Sequence, residues 1–135
     1  MGNSAITGVG VDCAGAVGIL VYDGATDLET GDGKAYFNVP SKMNGMNLIS
    51  CYAEVITAGT TNTTDIQIHN VTDAVDMLTT EITIDSGGTN SDAASTPYVI
   101  DTGNDNVVTK DLIRLDIDQI STTAPKGLIV TLEFK

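Results

Sequence analysis

His69 is the only histidine of the chain and the first residue to test for catalysis, because a hydrolytic triad needs an imidazole base between a carboxylate and a nucleophile. Asp65 and Asp73 are near it in sequence, and hydroxyl side chains are abundant. However, His69 falls on the polar side of an alternating segment, where we expect a solvent-facing or interface side chain. A single histidine also excludes multi-histidine zinc sites. We therefore predict no catalytic residue and no enzyme.

Acidic side chains gather in two places where a cation is conceivable. The loop 101–105 offers several side-chain oxygens, and Asp116 and Asp118 share one face of a predicted strand, about 7 Å apart by strand rise. Calcium binds several oxygens in a flexible loop, but neither place has the spacing of an EF-hand. Asx turns and a solvated acidic face account for the same residues, so we predict no metal site.

The Gly-Asp-Gly-Lys run at residues 31–34 invites comparison with a phosphate-binding loop. That motif requires a Ser or Thr after the lysine and a second glycine five residues before the last one. Here Ala35 follows Lys34, and the earlier glycine is missing. Residues 8–10 also fail as a dinucleotide fingerprint, because no strand precedes them. The sequence therefore predicts no cofactor.

Length, charge and hydropathy restrict the class of protein. The 135 residues make one domain, and 41% of them are hydrophobic, which is too many for a disordered acidic tail. A formal net charge of −12 repels phosphate, so we expect no nucleic-acid partner and no membrane partner. No signal-peptide pattern or membrane-spanning stretch is visible, which favours synthesis in a reducing cytoplasm. Cys13 and Cys51 lack metal or redox spacing and are expected to be free thiols, with a single disulfide as the alternative.

Alternating apolar and polar residues predict a series of short strands after residue 33, and no segment is a convincing helix. The main predicted strands are 34–39, 47–57, 65–70, 81–85, 111–118 and 127–134, with shorter pieces at 74–77 and 98–101. The strand 47–57 is apolar on both faces, which predicts a central strand covered on both sides. Seven or eight such strands predict an all-β fold, an antiparallel β-sandwich that is jelly-roll-like. A fibronectin- or immunoglobulin-like sandwich is the alternative, and the absence of Trp counts against it.

The chain divides into two zones. Residues 1–30 are rich in Gly and Ala and are expected to form an N-terminal extended arm, while residues 31–135 form the jelly-roll domain. The alternative is that residues 15–22 form a further strand of the sandwich. Both alternatives remain open from the sequence.

Several motifs spread over residues 31–135 share a family pattern. They are residues 31–37, 40, 44–48, 57–68, 76–78, 82–87 and 123–134. Together they resemble structural proteins of tailed bacteriophage virions, and the small single-domain versions resemble head decoration (cement) proteins. Residues 1–30 fall outside the resemblance.

The resemblance implies a non-enzymatic protein that stands on the outer capsid surface of the virion and stabilises the shell by bridging capsid subunits. It implies the major capsid protein as partner and a homotrimer as the assembly. No catalytic or ligand residue transfers. The alternative is a receptor- or carbohydrate-binding jelly roll of a phage tail or fibre, against which the shortage of aromatic residues counts.

Two apolar features predict where the protein touches its partners. The glycine-rich stretch 5–22 is expected to lie along a neighbouring subunit or the shell, and an isoleucine interrupts the polar face of the last strand. The predicted interface residues are Ala5, Ile6, Val9, Val11, Ile19, Val21 and Ile129.

Overall fold

The computed structural model describes residues 15–135, which fold as an antiparallel all-β protein with no α-helix in that span. The strands are β1 (Ala16–Asp27), β2 (Gly31–Asn38), β3 (Leu48–Glu54), β4 (Thr64–Asn70), β5 (Val75–Asp76), β6 (Leu78–Thr80), β7 (Ile82–Ile84), β8 (Val99–Ile100), β9 (Leu112–Gln119) and β10 (Lys126–Phe134). Two short 3₁₀ helices, Ser41–Met43 and Ser91–Ala93, lie in the connections. None of these elements is a helix long and apolar enough to cross a membrane.

The strands form two principal sheets with nested pairing. One sheet has the order β1-β10-β3, and the other has the order β2-β9-β4-β5, with β7 also paired to β4. The first strand therefore pairs with the last and the second with the last but one, while β3 pairs with the other side of β10 and β4 with the other side of β9. The predicted all-β antiparallel β-sandwich is confirmed, and the strand order resembles that of a jelly roll.

The period of two in the sequence places the core between the sheets. Alternate residues of β9 and β10 are buried, and the intervening residues face outward. Fully buried members of the two strands are Ile113, Leu115, Ile117, Leu128, Val130 and Leu132. Each such side chain contributes about 1.5–3 kcal/mol by leaving water, so these two strands stabilise the sandwich strongly. The alternation predicted for 111–118 and 127–134 is confirmed.

The segment before residue 31 takes part in the sandwich. β1 runs antiparallel to β10, with Ile19 opposite Val130 and Leu20 opposite Ile129. Of the two alternatives for residues 15–22, the structure has the strand, and the sheet thus begins well before the expected boundary at 31. Residues 1–14 of the predicted arm lie outside the described part of the chain.

The prediction that the 47–57 strand is central and covered on both sides is wrong. β3 lies at the end of its sheet and β10 is the central strand. The extra apolar side chains have local causes: Ile49 sits at a register shift between β3 and β10, and Ile56 contacts Gly24 and Gly127. Both isoleucines are about half exposed.

One buried polar pair ties three connections together. The Asn70 amide donates to the Asp111 carboxylate over 3.0 Å, and both side chains are almost fully buried. The same carboxylate accepts from the Val108 backbone N–H, and the Asp111 carbonyl accepts from the Val39 N–H. The pair therefore joins the end of β4 to the loop before β9 and to the end of β2.

Substituting Asn70→Ala should lower the free energy of unfolding by about 2–4 kcal/mol, because the buried Asp111 carboxylate loses a hydrogen bond that water cannot replace. Denaturant unfolding measures the change. The matched control is Asn38→Ala, since Asn38 is exposed and makes one long hydrogen bond. Equal unfolding midpoints for the two variants would contradict the role given to the pair.

Candidate functional site

The imidazole of His69 hydrogen-bonds a carboxylate, but this carboxylate belongs to neither Asp65 nor Asp73, the two acids that the sequence analysis considered. His69 Nδ1 lies 2.7 Å from Asp76 Oδ1, across the β4–β5 pairing. Asp65 and Asp73 are bonded elsewhere, to Thr63 and to Asn70 respectively. Within residues 15–135, His69 has no other side-chain hydrogen bond. The structure therefore brings together a histidine and a carboxylate at a partly exposed site, as expected for a surface side chain.

Asp116 lies in an ion-pair network rather than on an open acidic face. Arg114 Nε donates to both carboxylate oxygens of Asp116, at 2.8 and 3.1 Å, and the Gly33 N–H donates to one of them at 2.8 Å. Arg114 also reaches Asp32 at 3.3 Å. The hydrogen bond with Asp116 raises the pKa of Arg114. This network holds the irregular start of β2 against β9.

The network also explains the Gly-Asp-Gly-Lys run. Gly33 has a φ of +71°, and a Cβ there would meet the Tyr36 hydroxyl at 2.2 Å. Both the backbone conformation and the close approach require glycine. The run is thus a turn that docks on Asp116, with Lys34 opening the strand pairing, and no helix follows it to form a phosphate-binding loop.

A second pair of acids lies on the outer side of the same sheet. Burial, followed by a hydrogen bond and the charge of Asp118, raises the pKa of Glu81 to about 8. Glu81 Oε1 is buried without a hydrogen-bond partner. Asp116 and Asp118 therefore belong to two different networks, although they share one face of β9.

The two acidic places considered for a cation are explained by local bonding. In the loop 101–105, the Asp101 carboxylate accepts from the Gly103 N–H and from the Asn104 amide, which makes an Asx-type turn. Among residues 15–135 no group of three His, Cys, Asp or Glu side chains is placed to hold a metal ion.

Cys51 is a buried free thiol, and burial raises its pKa to about 12. Cys13 lies outside the described residues.

The outer face of the β1-β10-β3 sheet carries most of the exposed apolar side chains of the described chain. Leu20 is 65% exposed and Ile129 is 37% exposed, and they are direct cross-strand neighbours. Two further exposed isoleucines are Ile49, near the start of β3, and Ile56, two residues after its end. We call this surface the apolar outer face. Thr131, Tyr52, Glu54 and Glu133 complete it.

The opposite outer face, on the sheet β2-β9-β4, is strongly charged. It presents Asp32, Arg114, Asp118, His69 and Asp76. The two outward faces of the sandwich thus differ in character, one apolar and one polar. A surface of the first kind is a candidate for protein contact, since exposed apolar patches mark interaction sites.

The structure sorts the predicted interface residues into three groups. Ala5, Ile6, Val9 and Val11 lie outside the described residues. Ile19 and Val21 pack inward against the core and are half buried. Ile129 is exposed, and its neighbour Leu20, which the sequence analysis did not select, is more exposed still. The alternation of Leu20 with Val17, Ile19 and Val21 would have identified it once β1 was accepted as a strand.

Comparison with known proteins gives no match: no family model, no curated protein and no solved structure is similar to this chain. The phage resemblance therefore stays a prediction from the sequence motifs.

The unfolding free energy should fall as the pH rises from about 5 to about 8, because Glu81 binds a proton more tightly when folded than when unfolded. Glu81→Gln should remove most of this fall, since the neutral amide replaces the only group to which the fall is assigned. We expect the variant to be more stable than the parent by about 1–2 kcal/mol at pH 8, a figure reduced for solvent screening.

Denaturant unfolding at pH 5, 6.5 and 8 measures this dependence. Glu29→Gln is the matched control, since it removes the same charge at an exposed position. A parent stability that is flat over this range, or a control that behaves like Glu81→Gln, would contradict the assignment.

Proposed function

We propose that the protein is a phage head decoration (cement) protein that binds the outer capsid surface and stabilises the shell by bridging capsid subunits. The observation that carries the proposal is the contrast between the apolar outer face and the charged face opposite. Such a two-sided sandwich suits a protein that lies on a larger body with one face and meets solvent with the other.

Burial drives the binding in this proposal. Covering Leu20, Ile129 and their neighbours with a capsid surface gains about 25 cal/mol per Å² of apolar area. When one decoration unit contacts several capsid subunits, the second and later contacts form at high effective concentration. Binding to the assembled shell but not to its dissociated subunits then stabilises the shell by mass action.

The charge distribution supports a position of the protein on the outer side of the shell. The net charge of −12 opposes contact with packaged DNA, and the charged face stays hydrated when the apolar outer face is covered. The partner in this proposal is the major capsid protein. The homotrimer implied by the resemblance stays a prediction.

The second candidate is a receptor- or carbohydrate-binding module of a phage tail or fibre. The observation in its favour is Tyr36, which is 56% exposed on the charged face beside Asp32 and Arg114. An exposed ring next to hydrogen-bonding groups is a feature of sugar-binding surfaces. Specific glycan binding that is lost in Tyr36→Ala would favour this candidate over the first.

The proposal predicts saturable binding to purified, expanded capsid shells that lack decoration, and a higher temperature of shell rupture after binding. Co-sedimentation measures the binding, and Ile129→Asp should weaken it at least about tenfold, because a carboxylate would be buried in an apolar contact. Val108→Asp is the matched control, since Val108 is exposed but lies outside both principal sheets.

Protein that stays in the supernatant at every concentration, with no change in rupture temperature, would overturn the proposal. Equal binding by the parent and Ile129→Asp would overturn the assignment of the apolar outer face.

A further inference from the structure

The first half of β1 is a sheet edge with free backbone groups. Among the described residues, β1 pairs only with β10. The Phe134 N–H donates to the Gly15 carbonyl at 2.6 Å, so odd-numbered residues of β1 face β10. The N–H and C=O groups of Ala16, Gly18 and Leu20 consequently point to the free edge.

This edge lacks the features that normally prevent strand pairing. Natural edge strands carry Lys, Pro, inward charges or a covering loop. Residues 16–22 contain no charge and no proline. The far edge of β3, in contrast, is covered by the loop between β7 and β8: the Val55 N–H donates to the Thr89 carbonyl, and the Ala53 N–H donates to the Ser91 hydroxyl.

The core is also incompletely covered at β1. The inward side chains of Val17, Ile19 and Val21 are only half buried, whereas the inward side chains of the adjacent β10 are fully buried. A further strand beside β1 would cover these three side chains. Among residues 15–135, the incompletely covered side chains and the unpaired backbone groups therefore lie at the same place.

The uncharged strip on β1 allows a second copy of this chain to approach this edge. Copies with a net charge of −12 repel each other over most of their surface, and a contact between them needs an uncharged strip. Residues 16–22 are such a strip along β1, since the first acidic residue after them is Asp23.

We propose that β1 pairs antiparallel with β1 of a second copy, which joins two sandwiches through one continuous six-stranded sheet. In the register centred on Gly18, Ala16 of each copy lies opposite Leu20 of the other, and the two Gly18 residues face each other. The backbone groups of these residues face the edge, so the register satisfies them. A β-bulge after Leu20 ends the regular strand at this edge. No atom lies within 4 Å of a Cβ placed on Gly18, which leaves room for the facing strand.

The pairing has a consequence for capsid binding that rests on the proposed function. A two-fold axis perpendicular to the sheet places both apolar outer faces on the same side. Leu20 and Ile129 of both copies then form one patch, so a pair can bridge two capsid subunits. Five paired residues span only about 17 Å, so we expect a weak pair in solution that is strengthened on the shell.

The test uses the purified full chain without capsids, in sedimentation equilibrium from about 10 μM to about 1 mM. We expect a reversible monomer–dimer equilibrium. Amide hydrogen exchange at the two ends of this range gives a second readout. The amides of residues 16, 18 and 20 should become protected only at high concentration, while those of 17 and 19 should be protected throughout.

Three variants test whether dimerisation depends on the free edge of β1 or on the apolar outer face. Gly18→Pro removes a free-edge N–H without touching the β10 ladder and should weaken dimerisation at least tenfold. Leu20→Asp should do the same if the proline variant fails to fold. Ile129→Asp, on the adjacent internal strand, should leave dimerisation unchanged.

Four results would overturn the pairing: a monomer at the highest concentration, a trimer, exchange protection without alternation, or equal loss of dimer in Ile129→Asp and Gly18→Pro. A parent chain that dimerises but does not bind the shells would instead overturn the proposed function and leave the pairing standing.

Discussion

The packing of two apolar sheet faces against each other is the constraint on which the rest of the structure depends. Side chains alternate along a strand, so fixing the inward residues of β9 and β10 also fixes which residues face outward. A register slip of one residue would turn Ile113, Leu115 and Ile117 to solvent and bury Arg114 and Asp118. The buried core therefore determines the charged face and the apolar outer face at the same time.

The two outward faces differ because the residues that alternate with the core residues are charged in β9 and uncharged in β1. β9 alternates isoleucine and leucine with arginine and aspartate, and the resulting face is held by ion pairs such as Arg114 with Asp116. β1 alternates valine and isoleucine with Ala16, Gly18 and Leu20, which carry no charge. The same sandwich geometry thus yields one hydrated surface and one surface suited to contact.

Most of the fold could be predicted from the sequence, because the strong alternation of β4, β9 and β10 leaves one arrangement that buries their apolar residues. The position of β3 could not, since a register shift at Ile49 adds an apolar residue that imitates a strand covered on both faces. β1 was ambiguous because Gly18 and Ala16 give its outward side no polar signal.

The side-chain networks were beyond sequence analysis for a different reason. The pairing of His69 with Asp76 depends on the register set by the turn between β4 and β5. The contact of Glu81 with Asp118 joins residues brought together only by the sheet, and Gly33 meets Asp116 across most of the chain length. Contacts between residues far apart in sequence leave no local pattern that could predict them. The fold class and the exposure of Ile129, in contrast, follow from the local alternation of apolar and polar residues.

Electron cryomicroscopy of capsid shells mixed with the purified protein shows whether the sandwich binds the shell and through which face. We expect added density on the outer surface that fits the two-layered sandwich, with β1 and β10 turned toward the shell and β9 turned toward solvent. Shells without added density at saturating protein, or a sandwich bound through its charged face, would contradict this expectation.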